Sequence, residues 1–389
     1  MEISNRIKNL PPYLFSEIDK MIVKARQKGV DVINFGIGDP DQPTPEAIVQ
    51  TMQEVIKDPA VHRYPSYKGM YEFRKAAADW YKKHYKVSID PENEVVALIG
   101  SKEGIAHLPF CILNSGDQAL VPDPGYPVYN NGVLLAGGQP ITFPLLEENN
   151  FLPDLDGFNP ETARKAKLMY LNYPNNPTGA VADKEFFEKA AAFARKHDII
   201  IAHDAAYSEI GLDDYQPHSF LEVKGAKDIG IEFNSLSKSF NMTGWRIGWA
   251  VGNKKLIEAL GRFKTNIDSG IFSAIQYSGI KALDMGRAPV SRMNKIYTKR
   301  RDLLVNGLKN LGWTVSKNRG SFYIWLPVLE KKHSSQKFSK KLFEQTGVFF
   351  TPGSGYGKNG EGYLRIALTV NKKRIKEAIQ RLKDRGFKY

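Results

Sequence analysis

Short apolar runs alternate with amphipathic segments through the middle of the chain. Between about residues 90 and 285 the apolar runs are "EVVALIG", "DQALVPD", "QPITFPL", "AKLMYLNYP", "IIIAHD", "IGIEFNSLS" and "RIGWAVG". Their apolar residues follow one another instead of alternating with polar ones. That is the signature of strands buried on both faces. Helical patterns lie between them, one starting at Ser101, one at Tyr126, and "DKEFFEKAAAFARKHD", whose apolar positions recur once per helical turn. Strand–turn–helix alternation predicts an α/β domain around a mostly parallel sheet, with ligand chemistry in the loops at the strand C-termini.

The pattern differs on either side of this stretch. Near the N-terminus "LPPYLF" reads as an extended arm, followed by a helix around Glu17–Lys28. "VINFGIGDPDQPTPEAI" reads as a strand, a Gly/Pro/Asp turn and a helix start, with Thr44 as N-cap and Pro45 at the first helical position. After about residue 290 a long helix, "SRMNKIYTKRRDLLVNGLKNLG", leads through "WTVSKN", "GSFYIWLP", a helix around 335–345, "VFFTPG" and "GYLRIALT" to a last helix. This is an α+β segment with a smaller sheet, and the N-terminal helix is expected to pack on it. The expected division is therefore 1–40 for the arm and part of a small domain, 41–288 for a large domain, and 289–389 for the rest of the small one. A length of 389 residues is consistent with more than one core.

Composition changes this picture little. Hydrophobic residues make up 42% and charged residues 25%, as in ordinary globular proteins. The net charge of +13 raises the question of an anionic partner. The basic residues are dispersed, however, in "KKH" at 331–333, "YTKRRDLL" and "NKKRIKEAIQRLKDRGFKY", which read as solvated helix faces and not as a nucleic-acid surface. The one cysteine, Cys111, cannot form an internal disulfide. The seven histidines lack metal-ligand spacing, so no metal is expected. With no 18-residue apolar run and no apolar leader, a cytoplasmic protein away from membranes is expected.

Chemistry concentrates at the predicted strand ends. "SLSKSFNMTGWRIGW" places Lys238 between strands, flanked by Ser235 and Ser237, with Arg246 downstream. Burying a lysine disfavours its charge and turns it into an amine nucleophile. Two hydroxyls and a guanidinium are groups that hold a phosphate dianion. An amine nucleophile beside a phosphate site points to pyridoxal 5'-phosphate, an aldehyde cofactor that carries a phosphate. "IIIAHDAAYSEI" ends a strand on Asp204, with Tyr207 three residues on. A buried acid needs a partner, and this cofactor needs a carboxylate at its pyridine nitrogen. A local turn cap would equally account for an Asp there. Tyr207 could donate to the cofactor's phenolate oxygen, and Asn176 in "LNYPNNPTG" could reach the same oxygen. In "IGSKEGIAH" a strand ends where a helix begins at Ser101–Lys102, and the free N–H groups of a helix start favour an anion. The chain has neither a Walker spacing nor a GxGxxG after a first strand.

In that order, "YPNNPTG", "AHDAAYSEI", "SLSKSFNMTGWRIGW" and "LRIAL" resemble the class I/II, fold-type I PLP-dependent aminotransferases, along nearly the whole chain. The resemblance implies a mostly parallel seven-stranded sheet in a large domain, a smaller α+β domain, and a homodimer with shared active sites. It implies Lys238 as the lysine that links to the cofactor and shuttles protons, and Asp204 at the pyridine nitrogen. It implies Asn176 and Tyr207 at the ring oxygen, with Ser235, Ser237, Arg246 and the Ser101–Lys102 backbone at the phosphate. Tyr126 in "PDPGYPVY" corresponds to an aromatic stacked on the ring, and Tyr64 in "HRYPSYKG" to a tyrosine reaching the neighbouring subunit's phosphate. Arg365 corresponds to the arginine that forks onto the substrate α-carboxylate, and Gly38 to a backbone that the substrate approaches. "FGIGDPDQPTP", "IGSKEGIAH" and "HRYPSYKGMYEFR" are similar to the shorter LL-diaminopimelate branch, which implies Tyr13 and Lys102 as substrate contacts. The residues alone leave another amino-acid specificity, or a carbon–sulfur β-lyase, open.

Overall fold

The computed structural model describes residues 2–11, 14–328 and 334–388. Tyr13 and the basic "KKH" at 331–333 lie outside the described residues. Eight strands come first: β1 (Ile33–Asn34), β2 (Val95–Leu98), β3 (Gln118–Asp123), β4 (Gln139–Pro144), β5 (Ala166–Leu171), β6 (Ile200–Asp204), β7 (Gly230–Ser235) and β8 (Gly248–Gly252). They are followed by β9 (Tyr323–Pro327), β10 (Val348–Phe349), β11 (Thr351–Pro352) and β12 (Tyr363–Ala367).

Strands β2 to β8 form one seven-stranded sheet in the order β2-β8-β7-β6-β5-β3-β4. From β3 to β7 every pairing is parallel, whereas β8 runs antiparallel to both of its neighbours. β2 through β7 therefore all end at one edge, and β8 starts there, with Gly248 opposite both Ser235 and Leu98. The continuous apolar runs follow from burial on both faces. On β6, Ile201 joins the core with Phe187 and Ala190, while the next residue, Ala202, joins the opposite core with Leu168 and Phe233. Successive side chains of a strand point to opposite faces, so both must be apolar.

Helix 184–197 shows how a covering element is specified. Asp183 Oδ1 accepts the Phe186 N–H at 2.8 Å and caps the start. Phe187, Ala190, Ala191 and Ala194 form the buried stripe, and Asp198 ends the helix in the left-handed region at φ +55°. The expected Thr44 cap is not formed. Helix Glu46–Val55 starts without a side-chain cap, and the Thr44 hydroxyl instead donates to the Asn241 carbonyl at 2.7 Å. The Thr44 oxygen accepts from Trp245 Nε1 at 3.1 Å, so a tertiary donor takes the place of the helix N–H.

In the last hundred residues the antiparallel sheet β11-β12-β9 packs with the long helix Ala288–Asn310. "WTVSKN" keeps a strand's alternation, with Trp313 and Val315 buried, but pairs with no strand among the described residues. Trp313 Nε1 donates instead to the Phe387 carbonyl at 3.1 Å. The N-terminal segment belongs to this unit: β1 pairs with β10, and Ile22 packs with Phe343 and Phe349. Arg300 holds the segment from the long helix by a two-pronged contact to Asp41, at 2.6 and 2.7 Å. Among the described residues no helix is long and apolar enough to cross a membrane.

Ile201 is fully buried at the centre of the seven-stranded sheet. Ile201→Ala should cost about 2–5 kcal/mol from lost transfer energy and the cavity left behind, read as a lower urea midpoint with unchanged slope.

Candidate functional site

The shared strand edge gathers the chemistry. Loops after β2, β3, β5, β6 and β7, and the residues just before β8, line one cavity of about 430 Å³. They contribute Ser101 and Lys102, Tyr126, Asn172 and Asn176, Asp204 and Tyr207, Ser235, Ser237 and Lys238, and Arg246. The other wall comes from Gly36, Gly38, Tyr323 and Arg365.

Lys238 sits on the short helix Leu236–Ser239 that follows β7, which the Ser235 Oγ caps by accepting the Ser237 N–H at 3.1 Å. Its Nζ donates to the Gly38 carbonyl at 2.6 Å. Burial pulls its pKa down to about 8, aided by the charges of Arg365 and Arg246 and opposed by Asp39. Gly38 has no room for a side chain: a Cβ there would lie 1.9 Å from the Tyr323 hydroxyl. That hydroxyl in turn meets the Tyr207 hydroxyl at 3.0 Å.

Asp204 is only 5% exposed. One carboxylate oxygen accepts from the Tyr129 hydroxyl at 2.8 Å, the other from the Ala206 N–H at 3.2 Å. The second contact is the local turn expected of an Asp at this position, whereas the first is tertiary. Burial pushes its pKa up, and Tyr129 and Ala206 oppose this by hydrogen bonding to the ionised form. A cationic ligand nitrogen would offset the same cost. His203, one residue earlier, points to the other face and binds Glu232 at 2.8 Å.

The helix Ser101–Ile112 begins at Gly100, whose φ is +77°. A Cβ on Gly100 would meet Arg246 Nη2 at 2.3 Å, so glycine leaves the space that the guanidinium fills. Arg246 Nη1 donates to the Thr243 carbonyl at 2.7 Å. Lys102 stands 5.7 Å above the Tyr126 ring, and burial followed by the charge of Arg246 lowers its pKa. Helix-start N–H groups, two serine hydroxyls and Arg246 make an anion cradle. A planar ligand that carries a phosphate, a ring nitrogen and an aldehyde fits this donor set, with Asp204 for the nitrogen and Lys238 for the aldehyde.

Arg365 is buried on β12 between the rings of Tyr323, at 4.2 Å, and Tyr356, at 4.9 Å. It donates to Asn176 Oδ1 at 2.9 Å and to the Gly36 carbonyl at 2.6 Å. Almost all the predicted residues thus converge. Tyr64 does not: it is 87% exposed and absent from the cavity wall. Tyr13 lies outside the described residues. Sequence reasoning missed Tyr129, Asn172, Tyr323 and Asp19, which join the site or its support. Only Tyr129 carried a signal, in its spacing one helical turn beyond Tyr126. Among the described residues no cluster of His, Cys, Asp or Glu could hold a metal ion.

The family model described as aminotransferase class I and II matches residues 30–382. A LL-diaminopimelate aminotransferase of Halothermothrix orenii is 65% identical over 389 residues, covering 100% of both chains. Another, of Moorella thermoacetica, is 54% identical over 98% of both. The substrate-bound BacF structure from Bacillus subtilis superimposes with a TM-score of 0.95 at 40% identity, covering 99% of this chain and 98% of that one. An aminotransferase structure from Staphylococcus aureus gives 0.92 at 36% identity, covering 100% of both.

The depressed pKa of Lys238 has a direct readout. Its amine becomes nucleophilic as it loses its proton, so capture of a small aldehyde, trapped by reduction and read by mass spectrometry, should rise with pH to a midpoint of about 8. Asp39→Asn removes the charge that holds the proton on and should move the midpoint lower still. A midpoint at the ordinary lysine value of roughly 10.4 would contradict the buried environment.

Proposed function

We propose that this chain, which belongs to the class I and II aminotransferases, moves an amino group between LL-2,6-diaminopimelate and 2-oxoglutarate in lysine biosynthesis. The observation that carries the substrate assignment is the 65% identity to a LL-diaminopimelate aminotransferase over the whole of both chains. The cofactor of this family is pyridoxal 5'-phosphate, which when bound supplies an electron-accepting ring that acidifies the substrate Cα–H bond.

The residues then take the following parts. Lys238 anchors the cofactor aldehyde through Nζ. With the cofactor bound, the free Nζ of Lys238 would be the base that accepts the substrate Cα proton and the acid that gives a proton back. A pKa of about 8 suits both directions, because the amine can accept and release a proton near neutral pH. Asp204 keeps the ring nitrogen protonated, and Tyr129 holds its carboxylate in place at 2.8 Å. Tyr207 and Asn176 would hold the cofactor's ring oxygen, and Tyr126 would supply an aromatic wall for the ring. Ser235, Ser237, Arg246 and the Ser101–Lys102 N–H groups hold the phosphate. Arg365 forks onto the substrate α-carboxylate beside Asn176, its present partner. Gly38, whose missing Cβ leaves room for the Tyr323 hydroxyl, would present its backbone to the substrate, and Lys102 and Tyr13 are assigned to the rest of it.

A cytoplasmic homodimer is part of this reading, with residues 41–288 as the large domain, and 1–40 with 289–389 as the small one. Support for the dimer comes from large apolar side chains left exposed on the single chain, among them Tyr64, Tyr67, Tyr71, Ile267 and Tyr277. Tyr64 is absent from its own chain's cavity and is the residue assigned to the neighbour's phosphate.

Lys238→Ala should remain folded and lose turnover by several orders of magnitude; a wild-type rate would refute the assignment. Across a panel of amino donors with 2-oxoglutarate, LL-2,6-diaminopimelate should show the highest kcat/KM, and omission of the 2-oxo acid should stop the reaction. Ammonia and pyruvate released without an acceptor would mean lyase chemistry instead. If active sites are shared, mixing Lys238→Ala with a Tyr64→Ala variant of low activity should restore rate above the sum of the two. Strict additivity would argue against a contribution from the neighbour.

A further inference from the structure

Asp19 has no part in the roles above, yet it lines the same cavity as Gly38, Lys102 and Tyr126. It lies on helix Leu14–Gln27. Ile18, Met21, Ile22 and Ala25 recur at helical spacing and pack around Phe343 and Phe349. Asp19 stands beside that stripe, exposed, and the packing of the stripe fixes the direction in which the helix presents it. Stabilising the helix start does not account for it, because the acid in the first turn is Glu17 and Asp19 comes later. Its carboxylate has no hydrogen-bond or ion-pair partner among the described residues.

The charges on the cavity wall make this residue unusual. Lys102, Lys238, Arg246 and Arg365 are cationic. Against them stand two carboxylates, of which Asp204 is buried and engaged by Tyr129 and Ala206. Asp19 is therefore the exposed carboxylate among the described lining residues. An amino donor whose only charges beyond the reacting amine are carboxylates, such as glutamate, offers it nothing to bind and suffers repulsion from it. A substrate with a second ammonium at its far end has the matching charge.

We propose that Asp19 binds the distal ammonium of a diamino dicarboxylate donor and so sets the preference of this cavity, among amino donors, for that class over donors that lack the second amine. The inference rests on the diaminopimelate reading. Its test compares LL-2,6-diaminopimelate with L-2-aminopimelate, a donor of the same length that lacks only the distal amine. Wild-type holoenzyme should prefer the diamino donor in kcat/KM, and Asp19→Asn should reduce that preference by about ten-fold or more, mostly through KM. Asp19→Glu should retain most of it. A loss shared equally by both donors would show that Asp19 only orders the helix, and an unchanged preference in Asp19→Asn would show no contact; either overturns the proposal while leaving the substrate assignment standing. Wild-type enzyme that uses glutamate but neither seven-carbon donor would overturn the substrate assignment, and this inference with it.

Discussion

The parallel run of β3 to β7, extended by β2 across the reversed strand β8, is the constraint on which the site depends. A parallel strand must finish where its neighbours finish, so the loops that follow share one edge. Lys238, Asp204, Asn176, Tyr126 and Ser101 come from five such loops, tens of residues apart in sequence. Arg246 joins them for the opposite reason: β8 is antiparallel, so the residues before it stand where the others end. No single loop could hold an anion cradle, a buried acid and an amine nucleophile at fixed separations. A sheet whose faces are sealed by two cores holds them, with support from contacts such as Tyr129 on Asp204.

The second wall is supplied by the N-terminal segment and the small sheet, and its contacts explain the charge states in the cavity. The Gly38 carbonyl receives the Lys238 ammonium, and Gly38 can sit there only because it lacks a Cβ in front of Tyr323. That segment is tied down by the β1–β10 pairing and by Arg300 on Asp41. Burial between the two walls makes the lysine a better nucleophile and the aspartate a costlier anion. Both shifts favour a ligand that takes the amine covalently and offers the acid a cation. The environment that makes these groups expensive without a ligand is thus the environment that prepares them for one.

Positive charge dominates the wall, which suits substrates that carry more than one carboxylate. It also marks Asp19 as an exception. The overall charge of +13 says nothing of this, because most basic residues lie on helix faces far from the strand edge. What matters for recognition is the short inventory of charges that face one small volume.

Much of this was legible in the sequence. Continuous apolar runs announced strands buried on both faces, since period-two geometry leaves such strands no polar face. Lys238 with its serines, Asp204 with Tyr207, and Ser101–Lys102 stood out because polar groups at the ends of apolar strands need a reason to be there. Other features were decided only by tertiary structure. Thr44 looked like a cap, but its hydroxyl donates to Asn241 and accepts from Trp245, because well-placed distant partners outweigh local propensity. "WTVSKN" has a strand's pattern but no strand pairing among the described residues, because alternation specifies a buried face and not a hydrogen-bonded neighbour. Tyr129, Tyr323 and Asp19 are ordinary residues in their local context, and only the folding of distant segments onto one edge brings them to the cavity or its support. The sequence by itself determined which elements form and which residues carry reactive chemistry, since both depend on short-range pattern. The fold decided which groups face each other, at what distance and at what cost in burial, since those depend on contacts between residues as many as 350 positions apart.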